Sequence, residues 1–329
     1  MKILFPFFAV IALVLLVFAG VNMAGMYFLF GIVIPYAALV VFLIGVLYRV
    51  MKWGSSPVPF HIPTTCGQQK SLPWIKQNKI ENPSGSLGVI VRMALEVLVF
   101  RSLFRNLKTE LKDGKVVYGL EKWLWMAGLA FHWSFLIILV RHLRFFAENV
   151  PPVIKLIESL DSFLQVGVPL FYITDAVILV AVTYLFFRRV YIPQIKYISL
   201  AADHFPLFLI LGIAISGVLM RYFFKVHIVG VKQLAMGLVS FKPSIPEGIG
   251  VLFYIHLFLI SVLFAYFPFS KLMHLGGVFL SPTRNLANNS REVRHINPWN
   301  YPVHVHTYEE YENDFRDKMK KAGLPVEKE

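Results

Sequence analysis

Six continuous apolar runs, each about as long as a membrane-crossing helix, constrain this chain more than any other feature. They do not alternate apolar and polar residues, as the strands of a transmembrane barrel do. Of the 329 residues 57% are hydrophobic and 16% are charged, whereas about a quarter of a soluble domain is charged. The sequence therefore predicts an all-α fold, a polytopic transmembrane helical bundle of about six spans. The runs cover residues 3–20, 27–48, 123–142, 166–187, 205–220 and 251–274.

Positive charges are distributed unevenly between the segments that connect these runs. With both termini inside, the inner segments 1–2, 49–122, 188–203 and 271–329 hold 25 of the 32 lysines and arginines. This is the positive-inside pattern, so we expect a multi-pass protein of a prokaryotic cytoplasmic membrane with a cytoplasmic C-terminus. The net charge of +13 then reflects topology and attraction to membrane lipid, and no nucleic-acid partner is expected. We expect run 3–20 to be an uncleaved span; a signal peptide is the alternative and leaves the downstream orientation unchanged.

Two polar segments divide the chain into four regions. The stretch LGVIVRMALEVLVFRSLFRNLKTEL predicts an amphipathic helix with Arg101, Arg105 and Lys108 on one side, lying either on the inner membrane surface or against the spans. The C-terminal tail is too poor in apolar residues for a core, so it is either docked onto a partner subunit or disordered. The regions are an N-terminal helix pair (1–48), a cytoplasmic segment (49–122), a four-helix membrane domain (123–275) and a cytoplasmic tail (276–329).

Cysteine usage limits the redox groups that this chain can hold. Its single cysteine, Cys66, excludes an internal disulfide, a cysteine-held iron–sulfur cluster and a covalently attached haem within the chain. Any redox group must therefore be bound without a covalent link and by other ligands.

Histidines in the third and sixth runs are the residues least expected in hydrocarbon, where an imidazole needs a partner. His132 and His142 lie in the third run, and His256 and His274 lie in the sixth. Antiparallel packing of these runs puts His132 opposite His274 toward the inside and His142 opposite His256 toward the outside. The rise along the helix from His132 to His142 is about 15 Å, whereas the rise from His256 to His274 is about 27 Å. Tilt and a bend at Pro268 would have to absorb that difference.

Two cross-helix histidine pairs at two depths favour two non-covalently bound haem b groups with bis-histidine axial ligation. Zinc fits less well because it needs more ligands. Simple hydrogen bonding of the histidines between helices is the structural alternative. We expect His204 to be a polar residue at a helix entrance, and Asp175 either to bond a ligating histidine, to relay a proton or to be structural. A solvated or structural role is expected for His61, His227, His295, His304 and His306, although the HVH motif of the last two could bind a metal if a third ligand joined them.

The spacing His-x9-His in one run and His-x17-His in the last, closing with FPFSKLMH, resembles the gamma (cytochrome b) subunits of respiratory nitrate reductases. The resemblance covers residues 120 to 280 and implies an inner haem on His132 and His274 and an outer haem on His142 and His256. The predicted six spans are one more than that family has.

Two further stretches are similar to the M subunits of the sulfite-reduction-associated Dsr membrane complexes. They are IPTTCGQQKSLPWIK at 62–76 and HINPWNYPVHVHTYEEYENDF at 295–315. This resemblance implies electron exchange between menaquinol or menaquinone and a cytoplasmic iron–sulfur subunit of the heterodisulfide-reductase kind, within a complex that has other membrane and periplasmic subunits. Hmc-type complexes contain a similar cytochrome.

A quinol site needs hydrogen-bonding groups and a proton acceptor at the outer edge of the membrane. Arg141, Arg144, Glu148 and Lys155 surround His142 in the sequence and are the candidates. The arginines would serve equally to hold haem propionates or to anchor the helix at head-group level. The rival functional class is a haem-free permease or membrane anchor with hydrogen-bonded histidines.

Overall fold

Long apolar helices dominate the computed structural model, which describes residues 2–56, 67–164, 170–289, 302 and 304–328. Within this part, five helices are long and apolar enough to cross a membrane, so the predicted polytopic helical bundle is confirmed. Their apolar outer faces include Phe5 and Leu47, which are 71% and 65% exposed and suit contact with lipid chains rather than water. The five are Leu4–Met23, Leu29–Gly54, Lys122–Phe146, Ala201–Phe223 and Val251–Phe269.

The described part of the chain is built of helices and one short hairpin. Besides the α-helices there are single π-helical turns at Ala19–Met23, Leu29–Val33 and Leu219–Phe223, and 3-10 turns at Leu143–Phe146, Phe267–Phe269 and Lys271–Met273. In chain order the elements are α1 (Leu4–Phe18), α2 (Ile34–Gly54), α3 (Ser86–Val99), α4 (Arg101–Phe104), β1 (Leu107–Lys112), β2 (Lys115–Leu120), α5 (Lys122–His142), α6 (Pro152–Asp161), α7 (Ile173–Tyr191), α8 (Pro193–Ile198), α9 (Ala201–Val218), α10 (Ile228–Val239), α11 (Val251–Tyr266), α12 (His274–Leu280), α13 (Pro282–Asn285) and α14 (Tyr308–Lys321).

The bundle is arranged around α9 and α11. Helix α5 packs along α7, α7 along α9, and α9 along both α1 and α11, while α2 closes the other side of α11. Apolar side chains from these helices fill the centre, because each helix must bury one face against its neighbours. The most deeply buried of them are Val17, Val21, Val182, Leu209, Leu234, Tyr254 and Leu259.

The fourth predicted run, 166–187, differs from the other five. Residues 165–169 lie outside the described part, and helix α7 begins only at Ile173. Its 19 residues include Asp175, Arg188 and Arg189, so it falls outside the group of strongly apolar helices. Asp175 is ion-paired to Arg141 at 2.8 Å and Arg188 to Glu121 at 3.3 Å, so two of these three charges are compensated within the bundle.

The amphipathic helix predicted through residue 111 is wrong in its second half. Helix α3 ends at Val99 because Phe100 has a left-handed backbone, with φ of 51°. After the single turn α4 the chain forms an antiparallel hairpin, with β1 and β2 in register from Leu107–Leu120 to Lys112–Lys115. The turn at Asp113–Gly114 has positive φ at both residues, as a two-residue hairpin loop requires.

Of the two placements expected for this helix, the structure shows packing against other helices. The indole nitrogens of Trp125 and Trp133 on α5 donate to the backbone oxygens of Val99 and Leu98, which end α3. Arg92, 5% exposed, donates to the backbone oxygens of Arg284 in α13 and of Leu286 just after it. Helix α3 thus joins the start of α5 to the segment after α12.

The last predicted run, 251–274, is not one helix. Helix α11 ends at Tyr266, 3-10 turns span Phe267–Phe269 and Lys271–Met273, and α12 starts at His274. The break centres on Pro268, whose ring cannot continue a regular helix. The Nε atom of Arg49 on α2 donates to the Pro268 oxygen at 3.1 Å, which satisfies a carbonyl that the break exposes.

The C-terminal tail contains an ordered helix, α14. A capping box starts it: the Thr307 hydroxyl accepts from the Glu310 N–H, and the Glu310 carboxylate accepts from the Thr307 N–H. Cys66, His61 and His295 lie outside the described residues.

Candidate functional site

His132 and His274 lie beside each other although 142 positions separate them in sequence. Their ring centroids are 5.8 Å apart and the rings are nearly perpendicular, at 82°. His132 Nδ1 is 2.7 Å from the Gly128 oxygen one turn earlier on α5, and His274 Nδ1 is 2.8 Å from the Lys271 oxygen in the 3-10 turn before α12. Each ring is therefore oriented by its own backbone. We call these two residues the inner pair, from their predicted side.

His142 and His256 form a second pair at the C-terminal end of α5, ten residues after His132, which we call the outer pair. Their ring centroids are 6.3 Å apart and the rings are nearly parallel, at 18°. His142 Nδ1 is 2.7 Å from the Ile138 oxygen, the same one-turn contact that His132 makes. His256 Nδ1 instead lies 2.8 Å from the Ser216 hydroxyl on α9.

The Ser216 hydroxyl provides an acceptor for His256. Ser216 Oγ is also 2.9 Å from the Ile213 oxygen, to which it can only donate. With its proton directed to that carbonyl, the hydroxyl accepts from the Nδ1–H group of His256. In all four histidines Nδ1 faces an oxygen acceptor, which leaves a lone pair on each Nε2 atom. This is the tautomer that an axial imidazole ligand of iron needs.

The spacing within each pair fits bis-histidine haem ligation. Two imidazoles whose nitrogens each lie about 2 Å from one metal ion have ring centroids roughly 6 Å apart. Helices α5 and α11 are not closely packed along their length in the described part of the chain. A Cβ atom at position 217 would lie 3.3 Å from Cε1 of His256, so the glycine at this position leaves room for the His256 imidazole.

A zinc site at either pair lacks further ligands. Among the described residues, the only group of three histidine, cysteine or acidic side chains with metal-binding spacing is remote from both pairs, in the tail. Zinc takes three or four protein ligands, whereas haem iron needs only two axial ones because the macrocycle supplies the others. The donor set of each pair therefore fits haem better than zinc.

A buried charge network adjoins the outer pair. Arg141, next to His142 in sequence, is 7% exposed and pairs with Asp161 of α6 and, at 2.8 Å, with Asp175 of α7. Tyr222 donates its hydroxyl proton to the other Asp175 oxygen at 2.9 Å. The ring of Tyr172 lies 3.7 Å from the Arg141 guanidinium carbon, a cation–π contact. Arg141 is thus not a head-group anchor, and its charge is already matched by two carboxylates.

The four quinol candidates do not form one cluster. Arg144 pairs with Glu158 at 2.9 Å, and its side chain is 40% exposed. Glu148 and Lys155 are exposed, and the backbone oxygen of Glu148 accepts from Lys232 of α10. Arg141 belongs to the buried network instead. Their assignment to quinol stays a prediction.

Sequence reasoning did not predict the side chains that complete the outer pair and the buried charge network. Nothing in the local pattern connects Ser216 to His256, Asp161 to Arg141, or Tyr222 to Asp175. The one available signal was the charge of Asp175 inside an apolar run. Asp175 bonds Arg141 and Tyr222 and no histidine, so the expected contact with a ligating histidine is absent from the described structure.

His204 lies in the first turn of α9, as expected for a helix entrance, but it is only 2% exposed. Its Nδ1 atom has no hydrogen-bond partner among the described residues. Asp203 beside it accepts from Lys271 Nζ at 2.6 Å, which connects α9 to the turn that precedes His274.

Fold and site together define a class: multi-pass helical membrane proteins with histidine pairs spaced for b-type haem. The sequence profile of the family described as nitrate reductase gamma subunit matches residues 89–295, and the chain belongs to that family. It is 43% identical over 278 residues to an Archaeoglobus fulgidus protein, covering 82% of this chain and 83% of that one. An Archaeoglobus profundus protein is 42% identical over 273 residues, or 81% of each chain. Both relatives are named Hdr-like menaquinol oxidoreductase cytochrome b-like subunit.

Proposed function

We propose that this chain is the di-haem b subunit of a membrane oxidoreductase and passes electrons from menaquinol to a cytoplasmic iron–sulfur partner. The observation that carries the proposal is the presence of two histidine pairs at two levels of α5, each spaced for one iron. His132 and His274 would hold the inner haem, and His142 and His256 the outer one. The names of the two Archaeoglobus relatives support a menaquinol-linked cytochrome b role.

The protein's own contribution is to hold and orient the axial ligands. When bound, haem b accepts and releases one electron at a time. Backbone oxygens fix His132, His142 and His274, and Ser216 fixes His256. With Nδ1 protonated, these bonds would leave the Nε2 lone pairs available to the iron and raise the basicity of the ligands.

The outer end of the bundle offers groups for quinol and its protons. Arg144, with its Glu158 partner, and the exposed Glu148 and Lys155 would bind the quinol oxygens near His142. Oxidation of a quinol releases two protons, which need acceptors. The Asp175 carboxylate, bonded to Tyr222 and paired with Arg141, is a candidate acceptor on the route outward.

The proposed orientation and partners follow from charge and family. The excess of lysine and arginine in the predicted inner segments favours a cytoplasmic C-terminus in a prokaryotic cytoplasmic membrane. The inner haem would then face a cytoplasmic iron–sulfur subunit of the heterodisulfide-reductase kind, with other membrane and periplasmic subunits in the complex. Similarity to the M subunits of Dsr complexes connects the proposed electron flow to sulfite reduction.

A reduced-minus-oxidised absorption spectrum of the purified protein tests the proposal against a haem-free permease or anchor. We expect b-type bands that account for two haems per chain. His132→Ala and His142→Ala should each remove about half of the signal, and His227→Ala, an exposed histidine outside both pairs, should remove none. A chain without b-type bands would refute the proposed function. Retention of the full signal in both ligand variants would refute the ligand assignment alone.

A further inference from the structure

The tail carries a cluster of metal-binding side chains that the proposed electron-transfer function does not use. His304, His306 and Glu310 each offer a ligand atom, and these atoms lie within 4.8 Å of one another. The sequence HVH supplies two imidazoles on the same side of the chain, with ring centroids 4.8 Å apart. The third ligand, which the sequence motif lacked, comes from the first turn of α14.

Glu310 is held in place for this role. One carboxylate oxygen accepts from the Thr307 N–H at 2.9 Å, in the capping box that starts α14. The other oxygen retains free lone pairs, since a carboxylate offers about four acceptor sites. The side chain is thus anchored to the helix and still able to bind a cation.

The surroundings compensate the unfavourable position of a cation at a helix N-terminus. Asp314, one turn after Glu310 on α14, has a carboxylate oxygen 3.9 Å from Nδ1 of His306. Its negative charge offsets the partial positive charge of the helix N-terminus near the site. All three ligands are exposed, so an ion reaches them without any movement of the bundle.

We propose that His304, His306 and Glu310 bind a divalent transition-metal ion of the Zn²⁺ type. Two imidazole nitrogens and one carboxylate oxygen form a three-ligand zinc donor set with an open position, whereas Mg²⁺ and Ca²⁺ prefer oxygen ligands alone. Metal–ligand bonds of about 2.1 Å place tetrahedral donors roughly 3.4 Å apart. Rotation of exposed side chains closes the gap from 4.8 Å. A bound ion would fasten the segment before α14 to the helix.

The test is titration of the full-length, detergent-solubilised protein, purified without a histidine tag, with ZnCl2 in a calorimeter. We expect one saturable site, with the bound metal confirmed by elemental analysis after dialysis. His304→Ala, His306→Ala and Glu310→Gln should each weaken Zn²⁺ binding by at least about tenfold. Glu310→Gln is the sharpest variant, because glutamine still completes a capping box while the anionic ligand is lost.

Two control variants separate this site from adventitious binding. His227→Ala removes an exposed histidine elsewhere, and Glu309→Gln removes a neighbouring carboxylate that pairs with Lys328. Both should bind Zn²⁺ as the unmodified chain does. Absence of saturable binding, or unchanged affinity in any one of the three ligand variants, overturns the proposed ligand set. The readout does not involve haem, so the result is independent of the proposed electron-transfer function.

Discussion

Ser216 is the side chain on which the orientation of His256 depends. Its hydroxyl accepts from His256 Nδ1 at 2.8 Å and donates to the Ile213 oxygen. Ser216→Ala leaves a buried N–H group without an acceptor, at a cost of roughly 1–3 kcal/mol. We expect loss or a shifted midpoint potential of the outer haem, with the inner haem unchanged. A redox titration followed in the b-type absorption bands measures both.

Ser261→Ala is the matched control for that substitution. Ser261 is buried on α11, and among the described residues its hydroxyl bonds to the Leu257 oxygen of its own helix alone. It should leave both midpoint potentials as they are. Equal behaviour of the Ser216 and Ser261 variants would show that the Ser216 bond has no part in ligand positioning.

Arg141 and Arg144 are three positions apart, yet they should respond very differently to substitution. Arg141→Gln leaves Asp161 and Asp175 buried without a cation, and breaking a buried ion pair costs about 3–5 kcal/mol. Arg144→Gln breaks one partly exposed pair, worth at most about 1 kcal/mol. The melting temperature of the purified protein should therefore fall markedly for Arg141→Gln and only slightly for Arg144→Gln. Similar melting temperatures would contradict the buried network.

Among the elements, the break in the last span fixes the position of the inner pair. Because α11 stops at Tyr266, His274 starts a new helix, and Arg49 of α2 donates to the Pro268 oxygen inside the break. Arg49→Ala removes that donor, so we expect selective weakening of inner-haem binding. Arg49→Lys, which keeps a cationic donor, should retain more of it. The ratio of inner to outer haem in redox titrations is the measurement, and equal loss of both haems would argue against this role.

The tail helix α14 provides a pH-dependent contact that is independent of the bundle. Glu312 accepts from the backbone N–H groups of Glu327 and Lys328, at 2.7 and 3.0 Å, and these bonds hold the pKa of its carboxyl below the usual value. A lowered pKa means that the contact stabilises the folded tail above the ordinary glutamate pKa of about 4.3 and is lost as the pH falls through the folded value.

Hydrogen exchange at the amides of Glu327 and Lys328, corrected for intrinsic rates, should show this loss on acidification. Glu312→Gln should weaken protection already at neutral pH, because the charge that strengthens the two bonds is gone. Glu309→Gln removes only the exposed pair with Lys328 and should leave the amides protected. Protection that is constant down to pH 3 would contradict the assignment to Glu312.

The length of the apolar runs was a good predictor of the long helices, because every membrane-spanning helix must be apolar over that length. It could not predict the end of α3 at Phe100, since a left-handed residue other than glycine is set by its surroundings rather than by its own preference. The same limit applies to the site. The four histidines are visible in sequence, whereas Ser216 and Asp161 reach their partners only through tertiary packing.

At the scale of the whole molecule, the proposed function has electrons cross the bundle in two steps, through one haem at each histidine pair. His132 and His142 are ten residues apart on α5, which separates the two levels by about 15 Å along the helix. The buried Arg141 network lies at the outer level. Helix α3, which Arg92 connects to α13, ends beside the inner pair, where its Leu98 oxygen accepts from Trp133 next to His132. This difference between the two levels favours quinol chemistry at the outer end of the bundle and partner docking at the inner end.

The order in which the two haems are reduced tests whether electrons enter at the outer level. If menaquinol delivers electrons at the outer level, His142→Ala or His256→Ala should prevent reduction of the inner haem by a menaquinol analogue, although dithionite still reduces it. His132→Ala should leave the outer haem reducible by the analogue and stop transfer to an acceptor on the inner side. Stopped-flow absorbance of the purified variants follows both steps. Reduction of the inner haem at the unmodified rate in His142→Ala would place electron entry at the inner level, because the remaining haem would then have received electrons without its outer neighbour.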